Sequence, residues 1–163
     1  MSAAPPPFDS ARYRQVLGHF PTGVVVVTAP GSPHHAGMSV GSFSSVSLDP
    51  PLVGFYAGRD SVSWPAIEAA GVFCVNVLAE DQEDLSRRFA SKDEDKFVGV
   101  GWKPAGTGSP LLDGVLAWID CEIHSVSDAG DHVCVLGRVL DLGIGREGGP
   151  LIFFRGGYGR FTT

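Results

Sequence analysis

The sequence is poor in cysteine, in clustered basic residues and in long apolar runs, and each shortage excludes a class of protein. Its 3 cysteines, Cys74, Cys121 and Cys134, are widely spaced; Cys74 and Cys134 have apolar neighbours, and Cys121 alternates with Ile119 and Ile123 on one apolar face. This pattern predicts reduced thiols in a core, without a disulfide framework or a zinc knuckle. The net charge is −6, and no cluster of five or more basic residues occurs. We therefore expect neither nucleic acid nor an anionic membrane as a partner.

No apolar run is long enough to cross a bilayer, so we expect a soluble protein. The first ten residues, MSAAPPPFDS, lack the basic start and the apolar segment of a secretory signal. They predict a short disordered lead-in over residues 1–9 and a cytoplasmic protein. Residues 10–163 are predicted to form one domain, because a chain of this length can bury a core without staples. His34 and His35 lack Cys or acidic neighbours in the sequence, so we predict no metal site.

Short strands dominate what is present. The run 23–28, GVVVVT, is β-branched, bounded by turn residues and too short for a buried helix, so it predicts a buried strand. Residues 115–124 alternate apolar and polar side chains, which predicts a half-buried antiparallel strand that pairs with residues 132–142. Eight or so strands with few short helices predict a mainly β fold, a closed antiparallel barrel.

Three helices and one long loop complete the expected fold. A helix beginning at Asp9 or Ser10 carries an apolar face that we expect to pack on the rest of the fold, and it contains Tyr13, Val16, Leu17 and Phe20. The other helices are predicted over residues 64–70 and about 81–90. Residues 99–114, rich in Gly and Pro, predict a surface loop.

A serine-rich stretch, GMSVGSFSSVSLDPPLVGFY over residues 37–56, is the most unusual part of the chain. Strict alternation fails because Ser44 and Ser45 are adjacent, which predicts a kink or bulge. A bulge beside Gly41, with short side chains and free backbone N–H groups, would make a ledge for an anionic ligand. The alternative is an ordinary edge strand with a polar outer face.

Other anion-binding candidates lie beside the predicted helices. Ser63 is the expected cap of the helix at 64–70, and Ser61, Ser63 and the amides after them could instead hold a phosphate. Arg87 and Arg88 suit the negative end of the helix dipole at 81–90, although a guanidinium there can also reach a phosphate.

Four motifs in this order and spacing resemble the flavin reductase-like family of FMN-binding split barrels, over about residues 10–162. They are GMSVGSFSSVSLDPPLVGFY, FCVNVLAEDQEDLSRRFA, GDHVCVLGRVLDL and PLIFFRGGYGRF. Within that family, the chain is similar to the short reductase component of two-component flavin-dependent monooxygenases. The resemblance implies FMN or FAD as the flavin, NADH or NADPH as the hydride donor, a separate monooxygenase as the partner and a homodimer.

The resemblance also implies site residues. The isoalloxazine ring would lie against residues 38–43, which are Met38, Ser39, Val40, Gly41, Ser42 and Phe43. Ser44, Ser45, Ser61 and Ser63 would lie toward the ribityl phosphate, which Arg88 would contact, and His132 and Tyr158 would lie on the nicotinamide side, with His132 as the catalytic candidate. Because the flavin carries the chemistry, the chain needs no catalytic triad or paired carboxylates. It also has no GxGxxG, so the nucleotide would bind on the barrel outside any Rossmann crevice.

Two alternatives remain open at this point. The chain could be a reductase that releases reduced flavin, or a flavin-binding module that keeps its flavin and carries electrons. A homodimer is also expected from the apolar strand at Leu52, Val53, Phe55 and Tyr56, which would leave a patch exposed in a monomer.

Overall fold

The computed structural model describes residues 2–163 and is mainly β, as predicted. Within that range it has three short helices and twelve strands. The helices are α1 (Ser10–Leu17), α2 (Trp64–Ala70) and α3 (Glu83–Ala90). The strands are β1 (Thr22–Gly23), β2 (Val25–Ala29), β3 (Ala36–Val40), β4 (Ser44–Leu48), β5 (Pro51–Gly58), β6 (Val72–Val77), β7 (Trp102–Pro104), β8 (Pro110–Leu112), β9 (Ala117–Ala129), β10 (His132–Ile144), β11 (Leu151–Phe154) and β12 (Gly157–Arg160).

One antiparallel sheet of seven strands organises the molecule, in the order β3-β2-β6-β9-β10-β5-β4. Its two edge strands, β3 and β4, follow each other in the chain and are joined by residues 41–43. The hydrogen-bonded order therefore ends in two edges, and closure into a barrel is not confirmed. Side chains from both ends of the sheet nevertheless share one core, since Val40 of β3 and Val53 of β5 belong to the same buried cluster.

A second buried cluster lies between α3 and the segment 97–118 and includes Phe89 and Leu112. The prediction of a surface loop over 99–114 is wrong, because β7 and β8 form a hairpin there. Buried polar groups hold the hairpin in place. The Asn76 side-chain carbonyl accepts from the Leu112 N–H at 2.8 Å, and the Thr28 hydroxyl donates to the Pro110 carbonyl.

The cysteines are free thiols, as predicted. Cys74 and Cys121 are fully buried, and Cys134 is partly buried. Burial raises the pKa of Cys121 to about 12 and raises the pKa of Cys74 still further, so both thiols are protonated and unreactive near neutral pH.

Helix α1 forms where it was predicted but does not bury its apolar face. Asp9 caps it by accepting from the Arg12 N–H at 2.8 Å. No residue of the helix is buried, and Tyr13, Val16 and Leu17 are each about half exposed. The expected packing on the rest of the fold is therefore wrong for this chain by itself.

Residues 2–163 contain no helix with the length and apolar character needed to cross a membrane. The same residues contain no group of three or more His, Cys, Asp or Glu side chains placed to hold a metal ion.

Candidate functional site

The serine-rich stretch turns a corner between the two edges of the large sheet. It forms β3, breaks at Gly41–Phe43 and continues as β4, whose register against β5 shifts between Ser45 and Ser47. The register shift lies beside Ser45, close to where a kink or bulge was predicted, whereas Gly41 lies in the corner between the strands and not at the shift. Two of its serines fasten the corner, because the Ser39 hydroxyl donates to the Ser86 carbonyl and the Ser42 hydroxyl accepts from the Tyr56 N–H at 3.0 Å.

Three cavities border the serine-rich stretch, residues 37–56. The first contains His132. It has a volume of about 770 Å³, and we call it the His132 cavity. Its walls come from the N-terminal segment and α1 on one side and from the corner, β5 and the β9–β10 turn on the other. They consist of Pro6, Phe8, Asp9, Ser10, Tyr13, Arg14, Ser42, Tyr56, Ala129, Asp131 and His132.

The His132 imidazole is oriented by its neighbour. Its Nδ1 lies 2.7 Å from a carboxylate oxygen of Asp131, and this contact lowers the pKa of Asp131 below its ordinary value. An ionised carboxylate only accepts hydrogen bonds, so Nδ1 carries the proton and donates it. Nε2 of the neutral ring is then free to accept a hydrogen bond from a ligand. The His132 side chain is 48% exposed, so a ligand has access to it.

The second cavity, here called the corner cavity, has a volume of about 490 Å³. Residues 41–44 form one wall, and residues 20–25 with Val77 form the other. Most of these lining side chains are apolar or small, so this space suits a flat apolar group better than a charged one.

The third cavity, here called the Lys96 cavity, has a volume of about 380 Å³. The start of β3 and residues 62–63 line it together with the charged segment 92–96. Its walls consist of Pro33, His34, His35, Ala36, Gly37, Val62, Ser63, Ala66, Lys92, Asp93, Glu94 and Lys96.

Lys96 is the most unusual residue in these walls. It is only 5% exposed, and its ammonium donates to the Gly37 carbonyl at 2.9 Å, the Ser63 hydroxyl at 2.9 Å and the Phe89 carbonyl at 3.1 Å. Among residues 2–163 no carboxylate forms an ion pair with it. Burial lowers the pKa of Lys96, as expected for a cation removed from water.

The two serines before α2 form different hydrogen bonds. The Ser61 hydroxyl accepts from the N–H groups of Ser63 and Trp64, at 3.3 and 3.2 Å, and is therefore the capping side chain. Ser63 makes no capping bond with its side chain, and its hydroxyl accepts from Lys96 instead. Ser63 occupies the N-cap position of α2, as predicted, but its side chain makes no capping bond because its oxygen accepts from the buried ammonium.

Arg88 and Tyr158 lie apart from the residues with which they were grouped. Arg88 is exposed and lines a separate hollow with Asp81, Asp84 and Asp113. The Tyr158 hydroxyl lies 2.9 Å from the Ser86 hydroxyl, beside the bond between Ser39 and Ser86. Tyr158 is thus connected to β3 through α3, and it does not line the cavity that contains His132.

The structure brings some predicted site residues together and separates others. Gly41, Ser42, Phe43 and Ser44 line the corner cavity, and Ser42 also reaches the His132 cavity. Ser63 lines the Lys96 cavity. Ser45 lies exposed on β4, so the four serines assigned to the phosphate do not surround one cavity. Met38 and Val40 pack toward the core.

Sequence reasoning missed Lys96 altogether. It belongs to the charge run SKDEDKF, which resembles a solvated surface segment. The available signal was its position next to Phe97, whose ring packs on the buried Phe89 at a centroid distance of 5.0 Å. An apolar anchor at that point draws the preceding lysine inward.

Comparisons with known proteins agree on one family. The model of the "Flavin reductase like domain" matches residues 17–162. A flavin reductase of Pseudomonas putida is 54% identical over 156 residues, which are 95% of this chain and 92% of that protein. The reductase subunit HsaB of a flavin-dependent monooxygenase from Rhodococcus jostii (strain RHA1) is 49% identical over 150 residues, covering 92% of this chain and 77% of the relative.

A solved structure has the same fold over almost the whole chain. The NADH:FAD oxidoreductase SgcE6 of Streptomyces globisporus, in complex with NAD and FAD fragments, superposes with a TM-score of 0.90 at 38% sequence identity. The match covers 99% of this chain and 98% of that one.

Proposed function

Since the chain belongs to the flavin reductase like domain family, we propose that it is the reductase component of a two-component flavin-dependent monooxygenase. It takes FMN or FAD and a reduced nicotinamide nucleotide as substrates, and it supplies reduced flavin to a separate oxygenase. The observation that carries this function is the 54% identity to a flavin reductase over nearly the full length of both chains.

The residues along the corner fit a flavin nucleotide. Gly37 at one end of β3 lines the Lys96 cavity, and Ser42 just beyond the other end lines the corner and His132 cavities. Five extended residues span roughly 16 Å at about 3.3 Å each, which is enough for a flavin to lie along the strand with its phosphate and its ring at opposite ends. We assign the phosphate to the end with Ser63 and the buried ammonium, and the ring to residues 38–43.

Bound flavin supplies the redox chemistry by accepting a hydride from the nicotinamide. The chain contributes position. Ser42, held on the Tyr56 backbone, fixes the corner that carries the ring. His132, held by Asp131, offers Nε2 as an acceptor to the nicotinamide carboxamide from the other wall. Such positioning of two reactants accounts for much of the rate in a reaction that needs no protein nucleophile.

The alternative is a module that keeps its flavin and only carries electrons. Exposed side chains line the His132 and corner cavities, among them Asp131 and Ser44, so both sites open to solvent. Exchangeable flavin fits this geometry better than a permanently enclosed one.

Steady-state kinetics test the proposed function. Purified protein is mixed with NADH or NADPH and a catalytic amount of FMN or FAD, and nicotinamide absorbance is followed. We expect multiple turnovers of flavin per protein. No oxidation with any nucleotide and flavin pair would refute the reductase, and flavin that stays bound through gel filtration would favour the carrier.

A homodimer is the assembly that we propose. The strand first considered for an apolar patch does not provide one, because Val53 and Phe55 are buried. Exposed apolar side chains lie elsewhere, on and just after α1, on β4 and at the end of β10, and a second copy of the chain would remove them from water. They include Tyr13, Val16, Leu17, Phe20, Val46, Leu48, Leu140, Leu142 and Ile144.

Light scattering tests the dimer. We expect twice the chain mass at micromolar concentration, and we expect Leu48→Asp to shift the equilibrium toward monomer, since Leu48 is 96% exposed and a charge there is costly only if it becomes covered. A monomeric wild type would contradict the proposal.

The proposal includes three further features, which are the barrel, the domain and the cellular location. We infer that the seven-stranded sheet curls into a split barrel, since side chains from both its ends share one core. Residues 10–163 would form a single domain that works in the cytoplasm. Of the expected lead-in 1–9, Met1 lies outside the described residues, whereas Pro6, Phe8 and Asp9 line the His132 cavity.

A further inference from the structure

The hydrogen bonds of Lys96 leave its ammonium no proton to offer a ligand. A lysine ammonium has three N–H donors. Gly37, Ser63 and Phe89 accept one each, and they belong to β3, the segment before α2 and α3. Lys96 therefore ties together three separate elements at one wall of the cavity. Its positive charge stays buried there without an ion-paired carboxylate within residues 2–163.

The bond to Ser63 has a consequence for that hydroxyl. A serine hydroxyl has one proton to donate and lone pairs that accept. Since the ammonium can only donate, the Ser63 oxygen accepts, and its own proton must point elsewhere. Within residues 2–163 the Ser63 hydroxyl makes no hydrogen bond other than the one from Lys96, and Ser63 lines the cavity. The hydroxyl is thus set as a donor toward whatever enters.

We infer that Lys96 is the positioning residue that makes this enzyme prefer phosphorylated flavins, FMN and FAD, to riboflavin. It acts through Ser63, whose hydroxyl it orients as a donor to the phosphate, and through its own charge behind that hydroxyl. The inference rests on the proposed function, because it takes the Lys96 cavity to be the phosphate end of the flavin site.

Charge and burial explain why Lys96, and not another cation of the cavity, has this role. Lys92 lines the same space but is exposed, so water screens its charge. Asp93 and Glu94 are exposed as well, and Asp95 lies 3.3 Å from the His34 imidazole. The charge of Asp93 partly offsets the effect of burial on the pKa of Lys96, but none of these carboxylates lies within ion-pair distance of the ammonium, so an anionic ligand can still be its direct partner.

Matched lysine variants test the inference. Binding of FMN, FAD and riboflavin is measured by quenching of flavin fluorescence for wild type, Lys96→Met and the control Lys103→Met, since Lys103 is exposed on β7 and does not line the Lys96 cavity. A hydrogen bond to a charged group is worth roughly a tenfold change in affinity or more. We expect Lys96→Met to weaken FMN and FAD about tenfold or more and to leave riboflavin within about twofold. Lys103→Met should change all three by less than about twofold.

Ser63→Ala separates the two parts of the mechanism. It keeps the buried charge and removes the donor, so FMN should weaken by part of the Lys96→Met effect, again with riboflavin unchanged. Lys96→Arg keeps the charge but cannot reproduce the three bonds, and it should fall between wild type and Lys96→Met.

A purely structural role of Lys96 predicts another outcome. Equal losses for FMN and riboflavin in Lys96→Met, at unchanged thermal stability, would overturn the inference. If that variant does not fold, Ser63→Ala decides, because it removes the oriented donor and should weaken FMN while it leaves riboflavin unchanged. Equal losses for FMN and riboflavin in Ser63→Ala would then overturn the inference. If the proposed function fails instead, the wild type will reduce neither FMN nor FAD, so this failure can be distinguished from failure of the inference.

Discussion

The Lys96 cavity and the His132 cavity both border the serine-rich stretch, but they differ in how deeply their key side chains are buried. The first is fastened by a buried ammonium that bonds three elements, and its key side chains, Lys96 and Ser63, are 5% and 7% exposed. The second is walled by exposed residues of α1 and a hairpin turn, and its one oriented group, His132, is about half exposed.

The difference matches what each ligand must do. A flavin phosphate carries the same charge before and after hydride transfer, so a rigid, preorganised end costs nothing during turnover. Both ligands exchange in each cycle, but the nicotinamide ring gains a positive charge when it gives up its hydride, which an open, solvated wall accommodates. We therefore expect substitutions at the first cavity to act on fold and flavin, and substitutions at the second to act on the nucleotide.

The largest effect on stability is expected from an alanine substitution at Gly37, and Gly58 beside His132 offers the matched comparison. A Cβ on Gly37 would lie 2.5 Å from the ring of the buried Phe89, which has no room to move. Gly37→Ala should cost about 1 to 3 kcal/mol of unfolding free energy and should weaken FMN, because the Gly37 carbonyl accepts from Lys96. Denaturant unfolding and flavin titration measure both.

The matched variant is Gly58→Ala beside His132. Its Cβ would lie 3.0 Å from a side-chain oxygen of the exposed Asp60 and 3.9 Å from Nε2 of His132, and an exposed side chain can yield. We expect a stability change within about 0.5 kcal/mol. Equal costs for the two glycines would show that the cavities do not differ in rigidity.

His132→Ala is expected to have the next largest effect, confined to the nucleotide. The loss of an oriented acceptor should lower kcat/KM for NADH or NADPH by at least roughly tenfold, about 1.4 kcal/mol, with flavin affinity and stability within about 0.5 kcal/mol. Stopped-flow kinetics and flavin titration check the two halves. Unchanged nicotinamide kinetics would make His132 an ordinary exposed residue at a hairpin base.

The sequence predicts the features of this architecture that depend on residues close together in the chain. Helix α1 and strands β2, β9 and β10 follow local apolar patterns, and the kink at Ser44 and Ser45 follows from a broken alternation. These features need only neighbours in the chain.

Features fixed by distant residues escaped prediction. Composition alone predicts a loop in place of the β7–β8 hairpin, because the groups that hold it, Asn76 and Thr28, lie more than thirty residues away. The charge run around Lys96 likewise predicts a solvated side chain, because its acceptor Gly37 lies 59 residues before it. Such long-range bonds leave no period in the sequence. The resemblance to a known family supplied the corner and His132 but not the cation behind the phosphate end.

A smaller effect is expected from the cap of α2. Ser61 accepts from two backbone N–H groups, so Ser61→Ala should cost about 1 kcal/mol of stability. Ser61 does not line the Lys96 cavity, and FMN and riboflavin should therefore weaken alike or not at all. A selective loss of FMN in this variant, measured by fluorescence titration, would place Ser61 on the phosphate after all.

The smallest effect, and the one that separates fold from ligand most cleanly, is the pH dependence of the Lys96 cavity. Burial lowers the pKa of Lys96 below its ordinary value of 10.5, so the folded chain binds this proton less tightly than the unfolded chain. As pH rises from neutral toward 10.5, the folded state loses the proton first, the unfolded state holds more protons, and the free energy of unfolding rises. Over the same range FMN affinity should fall, since the charge behind Ser63 disappears. Stability and ligand affinity thus move in opposite directions in wild type, and neither trend should remain in Lys96→Met when unfolding and FMN titrations are repeated across that range. Parallel trends in the two proteins would assign the pH dependence to other groups.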